Sequence, residues 1–410
     1  MFADVVVLSE AKDLLSRGKE QVLRYAQDDK RTPLRDIPFV PRHIYLHVPF
    51  CARRCSYCDF SIAVRRTVPV DEYLRALEAE LHTRFGTRQP TEVDTIYLGG
   101  GTPSRLGGEG VAQAIALVER HFLPVADAEI TIEANPDDVT PDSAAAWRQA
   151  GVSRLSLGAQ SFDEGVLTWM HRTHDAPTTT RAVDVARSAG ITNVSLDLIF
   201  ALPTALRRDF PRDVRQLLDL EPDHISLYGL TIEPRTPLGR WVSKGLTVEQ
   251  PEEGYETDFL DAHRLLTDAG FEHYEVSNYG KPGRRARHNS AYWSGVPYVG
   301  LGPSAHGFDG QVRRWNARHY TDWRDAALSL ADPIEGSELL TADNRIAESV
   351  YLGLRSDAGL PMLPADRPLV APWVDAGWAN TGPDDRLRCT PNGWLRLDAL
   401  AAALTHHRSR

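Results

Sequence analysis

Three of the chain's four cysteines fall within eight residues, Cys51-Ala-Arg-Arg-Cys55-Ser-Tyr57-Cys58, a C-x3-C-x2-C spacing. Thiolates grouped this closely suit an iron–sulfur cluster. A cube of four irons held by four thiolates has every iron saturated; held by three, it keeps one iron open to another ligand. A structural zinc site would want a fourth ligand from a second pair nearby, and none is present. A disulfide framework would want an even count in a short secreted chain, and the 410 residues with few, clustered cysteines fit a reducing compartment better.

The motif follows a strand-like run, His43–Val48, and the rest of the chain repeats that arrangement. Short β-rich runs at 43–48, 93–98, 128–133, 152–157, 193–200 and 223–230 alternate with amphipathic stretches. Helices are predicted over 70–85, with Leu74, Leu77, Leu81 and Phe85 on one face, and over 110–122, with Val111, Ile115, Val118 and Phe122. A third opens at Pro141 behind a Thr140 N-cap, and others cover 178–190, 207–220 and 252–269. Alternation of this kind means parallel βαβ units, and six rather than eight of them suggest an incomplete barrel. Such sheets carry their chemistry at the carboxyl ends of the strands. The unusual residues fall at those ends: the cysteines, then Gly99-Gly100-Gly101-Thr102-Pro103, Glu133-Ala-Asn135-Pro136, Gly158-Ala-Gln160-Ser161-Phe162, and Asp197 inside an apolar strand. Glycines at a strand end let a ligand approach the backbone closely, and a carboxylate such as Glu133 or Asp197 in an apolar strand is costly unless partnered.

C-x3-C-x-aromatic-C resembles the signature of radical-SAM proteins. The resemblance implies an α/β fold, a partial (β/α)6 barrel, with a 4Fe–4S cluster on Cys51, Cys55 and Cys58 and S-adenosylmethionine (SAM) chelating the open iron. It implies that Tyr57 lies near the adenine, that Gly100, Gly101 and Thr102 line the methionyl group, and that Tyr45, Glu133, Gln160, Arg172 and Asp197 contact SAM. From Pro41 to about Leu404 the chain is similar to the group that joins oxygen-independent coproporphyrinogen III dehydrogenases to heme chaperones. It shares the strings Gly151–Phe162, Ser226–Pro234 and Tyr274–Gly283. The dehydrogenases carry a further cysteine two positions after the third; here Phe60 stands there, as in the chaperones. His288-Asn-Ser-Ala-Tyr292-Trp293 is similar to the chaperones' HNxxYW string, which makes His288 the expected heme ligand, histidine being a common axial ligand to heme iron. The neighbouring arginines, Arg284, Arg285 and Arg287, suit propionates and equally suit a solvated loop, and His306 is a rim residue before it is a heme or substrate contact.

The lead reading is therefore a chaperone that binds cluster, SAM and heme and passes heme to acceptors such as respiratory enzymes. The alternative is coproporphyrinogen III dehydrogenation or another radical-SAM reaction on a tetrapyrrole, so enzymatic activity stays open. A net charge of −10 argues against a general nucleic-acid binder. No apolar run approaches a membrane span, so a cytoplasmic protein is expected, associating with a membrane peripherally where its acceptor sits there. Residues 1–40 are poorly patterned and read as an extension or an early start assignment. The core is expected over 41–275, a connecting segment with HNxxYW over 276–335, and a small helical, winged-helix-like domain over 336–410, where Cys389 reads as a buried structural thiol.

Overall fold

A computed structural model describes residues 40–410 apart from Thr87; the N-terminal extension lies outside the described residues. The centre is a nine-stranded sheet. Its strands are β1 (His43–Val48), β2 (Thr91–Gly100), β3 (Phe122–Ala134), β4 (Arg154–Gln160), β5 (Asn193–Phe200), β6 (His224–Gly229), β7 (Glu272–Glu275), β8 (Asn278–Gly280) and β9 (Val299–Leu301). The order is β9-β1-β2-β3-β4-β5-β6-β8-β7. Every pair from β9 to β6 is parallel, and β8 and β7 close the far edge antiparallel. All six expected strands are present, and three short ones extend the sheet. The 276–335 stretch supplies both β8 and β9.

Helices α1 (Val70–Phe85), α2 (Gly107–Glu119), α3 (Pro141–Gln149), α4 (Ala176–Ser188), α5 (Phe210–Asp219) and α6 (Glu252–Asp268) pack on the sheet's outer face. Ile96, Leu98, Ile130, Ile132, Leu155, Leu157, Val194 and Leu196 meet them there in one core. Thr140 caps α3 as expected: its hydroxyl accepts from Ser143 N–H at 3.1 Å while Ser143 Oγ accepts from Thr140 N–H at 2.9 Å. Phe122 begins β3 instead of ending α2, because β3 starts early to pair Phe122 with Thr91.

The opposite face of each strand is polar. Thr95 and Tyr97, Thr131 and Glu133, Arg154 and Ser156, Ser195 and Asp197, and His224 and Ser226 alternate with the apolar positions. Arg154 Nη2 reaches His224 Nδ1 at 3.1 Å across the intervening β5, so these side chains share an enclosed interior. Fully buried Glu80 of α1 ties the connecting stretch to the barrel. Its carboxylate accepts from Arg84 at 2.9 Å, Gly302 N–H at 2.9 Å, Asn316 at 2.7 Å and Trp323 Nε1 at 2.9 Å. Beyond α7 (Arg287–Trp293) and α8 (Tyr320–Leu328), the C-terminal part holds α9 (Ala342–Arg355), a three-stranded antiparallel sheet (360–361, 386–389, 379–381) and α10 (Leu397–Arg408). Cys389 is buried there, and burial pushes its thiol up to about 12.

Candidate functional site

The cysteine loop leaves β1 at its carboxyl end and is pinned at several points. Phe50–Cys51 pairs in parallel with Ala63–Val64. Ser56 N–H donates to Met170 O at 3.1 Å, and Leu238 N–H donates to Ser56 O at 2.8 Å. The loop is thereby held between the short helix Glu164–Trp169 and the short helix Pro237–Ser243. Tyr57 packs onto the apolar group of Val166, Met170, Ile199, Leu202, Leu230 and Leu238. Among the described residues no three His, Cys, Asp or Glu side chains converge on one point as a mononuclear metal site would require. Burial pushes the Cys51 thiol up to about 11 and the Cys58 thiol up to about 12.

The glycine run presses against this loop. A Cβ on Gly101 would lie 2.5 Å from Pro49 O and 3.0 Å from Cys51 Sγ, and one on Gly100, whose φ is 125°, would lie 2.7 Å from Val48 O. Both positions need glycine. Thr102 Oγ1 is 3.4 Å from Cys51 Sγ. Arg172 joins three elements: it donates to Asn135 Oδ1 at 2.7 Å, to Gly158 O at 2.8 Å and to Cys55 Sγ at 3.5 Å. Gln160 is buried at φ 65°, and its side-chain carbonyl has no partner. A non-glycine residue held left-handed costs on the order of 1 kcal/mol or more, a common feature of ligand sites.

Two carboxylates face the interior beside this rim. Glu133 accepts from Tyr97 OH at 2.8 Å and from Gly100 N–H at 3.1 Å. Burial nevertheless holds its carboxyl above the usual range. Asp197 accepts from Ser156 at 3.2 Å. Burial, then the neighbouring Glu133 charge, pushes it up to about 7, against the pull of Ser226, Arg154 and Ser156. Two carboxyls destabilised as anions by burial, Asp197 also by the Glu133 charge, form a receptor for positive charge. The glycine cradle, the unmet Gln160 carbonyl and this acidic pair fit a cationic ligand with hydrogen-bond donors such as an amine, and the three thiols beside them fit a cluster.

Tyr45 and His288 lie below this level. Tyr45 stacks beside Tyr97 with ring centroids 6.2 Å apart, and its hydroxyl is 3.1 Å from His47 Nδ1. Phe60 packs on the group of Tyr45, Tyr97 and Ala305. His288 is only 1% exposed. Its ring stacks under Tyr97 at 5.0 Å, Nδ1 is 2.6 Å from Thr95 Oγ1 and Nε2 is 2.8 Å from Tyr292 OH. Burial, then the charge of His43, keeps its pKa well below the usual histidine range. Glu129 caps α7 from within, accepting from the N–H groups of Arg287 and His288 at 3.1 Å each. The structure therefore brings the cysteines, glycines, Glu133, Arg172 and Asp197 together, and places His288 beneath them with both ring nitrogens engaged. The arginines before HNxxYW are also engaged: Arg284 with Asp223 at 3.6 Å, Arg285 with Asp357 at 2.7 Å, and Arg287 with Asp127 at 3.5 Å.

Sequence reasoning gave Asn135, seen only as part of a strand-end run, no role, and missed Tyr97 and Arg154. Their signal was the period-two polar positions in otherwise apolar strands, which mark a filled polar interior.

Comparison with known proteins agrees with this geometry. Residues 45–217 match the Radical SAM superfamily. The chain is 38% identical over 378 residues to the heme chaperone HemW of Mycobacterium tuberculosis, covering 90% of this chain and 96% of that one. It is 36% identical over 341 residues to the heme chaperone HemW of Escherichia coli, covering 79% and 89%. It is 33% identical to the mitochondrial radical S-adenosyl methionine domain-containing protein 1 of Bos taurus, covering 86% and 82%. Coproporphyrinogen III oxidase (HemN) from Escherichia coli, a radical SAM enzyme, shares the fold with a TM-score of 0.77 at 22% identity, covering 93% of this chain and 95% of that one. With three cysteines, a glycine cradle and an acidic pair gathered at one rim, and with whole-length relatives of that name, the chain belongs to the HemW family of the radical-SAM superfamily.

Proposed function

We propose that this protein is a heme chaperone: it binds a 4Fe–4S cluster, SAM and heme, and hands heme to acceptor proteins. The observation that carries the reading is near-complete alignment with relatives of that name, 90% of this chain and 96% of the relative. Cys51, Cys55 and Cys58 would hold the cluster, whose open iron would anchor the amine and carboxylate of SAM. Gly100, Gly101 and Thr102 would cradle the methionyl group, Glu133 and Asp197 would face its positive charge, and Tyr45, Tyr57, Gln160 and Arg172 would complete the pocket. His288 would ligate heme iron. Its two ring nitrogens are held by Thr95 and Tyr292, so heme loading would have to free one of them, and freeing Nδ1 from Thr95 would lift α7 from the barrel floor.

No helix among the described residues is long and apolar enough to cross a membrane. A cytoplasmic location, with peripheral approach to membrane-bound acceptors, belongs to the same proposal. The test is heme titration of anaerobically purified, cluster-reconstituted protein, wild type and His288→Ala. A saturable Soret shift that weakens in the variant supports the reading. No specific uptake, together with SAM-dependent conversion of coproporphyrinogen III, would overturn it in favour of dehydrogenation.

A further inference from the structure

HNxxYW has two faces. At 100° per residue, Ser290, Trp293 and Ser294 lie about 140–240° around α7 from His288. His288 and Tyr292 turn toward the barrel floor, whereas Ser290, Trp293 and Ser294 line a cavity of about 590 Å3 between α7 and α9. That volume falls in the roughly 300–1,000 Å3 range of small-molecule sites.

The lining is amphiphilic, and its Trp293 indole N–H and Arg345 guanidinium have no partner among the described residues. Phe308, Leu340, Leu352 and Leu360 supply apolar wall. Trp293 is 7% exposed, its ring lies against the Arg355 guanidinium at 4.4 Å, and its indole N–H is buried without an acceptor. The charged lining residues are otherwise satisfied: Arg285 by Asp357 at 2.7 Å, Glu348 by Arg313 at 2.8 Å, and Arg386 by the carbonyls of Ala358 and Gly359 at 2.6 Å each. Among the described residues the exposed Arg345 guanidinium, at the cavity's edge, has no hydrogen-bond or ion-pair partner. A buried donor without an acceptor is unfavourable, and a free guanidinium beside an apolar wall is a carboxylate receptor.

We propose that this cavity binds a planar, mainly apolar carboxylic acid of tetrapyrrole size. The apolar body lies against Phe308, Leu340 and Leu352, an acceptor meets the Trp293 N–H, and a carboxylate meets Arg345. The identification of that ligand as a porphyrin rests on the heme reading above. The lining contains no histidine, cysteine or methionine. Recognition here is of the ring and its carboxylates, so metal-free protoporphyrin IX binds as heme does. The cavity is thus a station separate from iron ligation at His288.

The test titrates hemin and metal-free protoporphyrin IX into full-length, cluster-reconstituted wild type, Arg345→Glu, Leu352→Trp and His288→Ala. SAM affinity serves as the control for folding. Arg345→Glu and Leu352→Trp are each expected to weaken protoporphyrin IX binding about tenfold or more, with SAM affinity unchanged, while His288→Ala leaves protoporphyrin IX binding intact. Protoporphyrin IX affinity within about twofold of wild type in both cavity variants overturns the proposal. Saturable hemin binding lost only in His288→Ala overturns the cavity and leaves the chaperone reading standing. No saturable uptake of either compound by wild type overturns both.

Discussion

Asp197 and Glu133 are carboxylates whose environment disfavours their charged forms, and a cationic ligand is what would restore them. Asp197 is pushed up to about 7 by burial and by Glu133, with Arg154, Ser156, Ser226 and Tyr228 also around it. Below that pH it is mostly protonated and loses its attraction for a cation. SAM affinity should therefore rise with pH from 6 to 8, by up to about tenfold per unit on the acidic side. Equilibrium binding at pH 6, 7 and 8 checks this, and a slope that is unchanged in Asp197→Asn would remove Asp197 from the site. The link from Tyr97 to Glu133 makes a second prediction. Tyr97→Phe removes the 2.8 Å bond to Glu133 and keeps the ring over His288. SAM affinity should fall about five- to twentyfold, with cluster content unchanged by iron and sulfide assay. The cysteines, the glycine run and Glu133 were legible in the sequence because their types are rare and their positions fall at strand ends. Tyr97 was not, because a tyrosine in a β-rich run is explained equally well by packing. Only the cross-strand register, which sets Tyr97 opposite Thr131 and so within reach of Glu133 on the same face, reveals its partner.

At the scale of elements, α1 and the cysteine loop show how distant segments hold the rim. Glu80 receives donors from its own helix and from the stretch between Gly302 and Trp323. Glu80→Ala would strand Arg84, Asn316 and the Trp323 indole in a buried place, at a cost of about 3 kcal/mol, read by denaturant unfolding. An unchanged midpoint would mean water replaces the carboxylate. Helix and strand positions were largely readable from periodicity, since β1 to β6 are apolar on the outer face and α1 to α6 carry matching stripes. The short strands β8 and β9 were not. Three residues such as Val299-Gly-Leu301 carry no period, and only pairing with β1 makes them a strand. Glu80 was likewise invisible: on a helix surface pattern it is another solvated charge.

For the whole molecule, the number of buried neutral histidines sets the response to acid. Burial holds His47 and His174 near about 4 and keeps His224, His273 and His288 well below the usual range. In the unfolded chain each takes a proton near pH 6.5. The folded chain does not, so stability is present above that pH and is lost as pH falls below it, by up to about 1.4 kcal/mol per unit per histidine. Asp197 acts in the opposite sense between about 4 and 7, since the folded state holds its proton more tightly. Burial also raises Glu119, Glu133, Asp138, Asp258 and Asp398, and these blunt the loss, but none is shifted as far as Asp197, so the five histidines still dominate between pH 6.5 and 5. The melting temperature should drop steeply between pH 6.5 and 5, and a flat profile by calorimetry would contradict the burial of these rings.

The sheet's outermost parallel pairing also has a consequence in time. β1, which leads into the three thiols, finds its second neighbour in β9, where Ile44 meets Val299. At the roughly 5–20 residues per second of synthesis, that neighbour emerges on the order of 10–50 s after β1 does. For that interval the strand behind the thiols is a bare apolar edge, open to mispairing with other chains. The barrel wall around the thiols is complete only once nearly three quarters of the chain has been made. Any cluster those thiols hold would settle only after that point, and until then the growing chain needs its apolar edge covered.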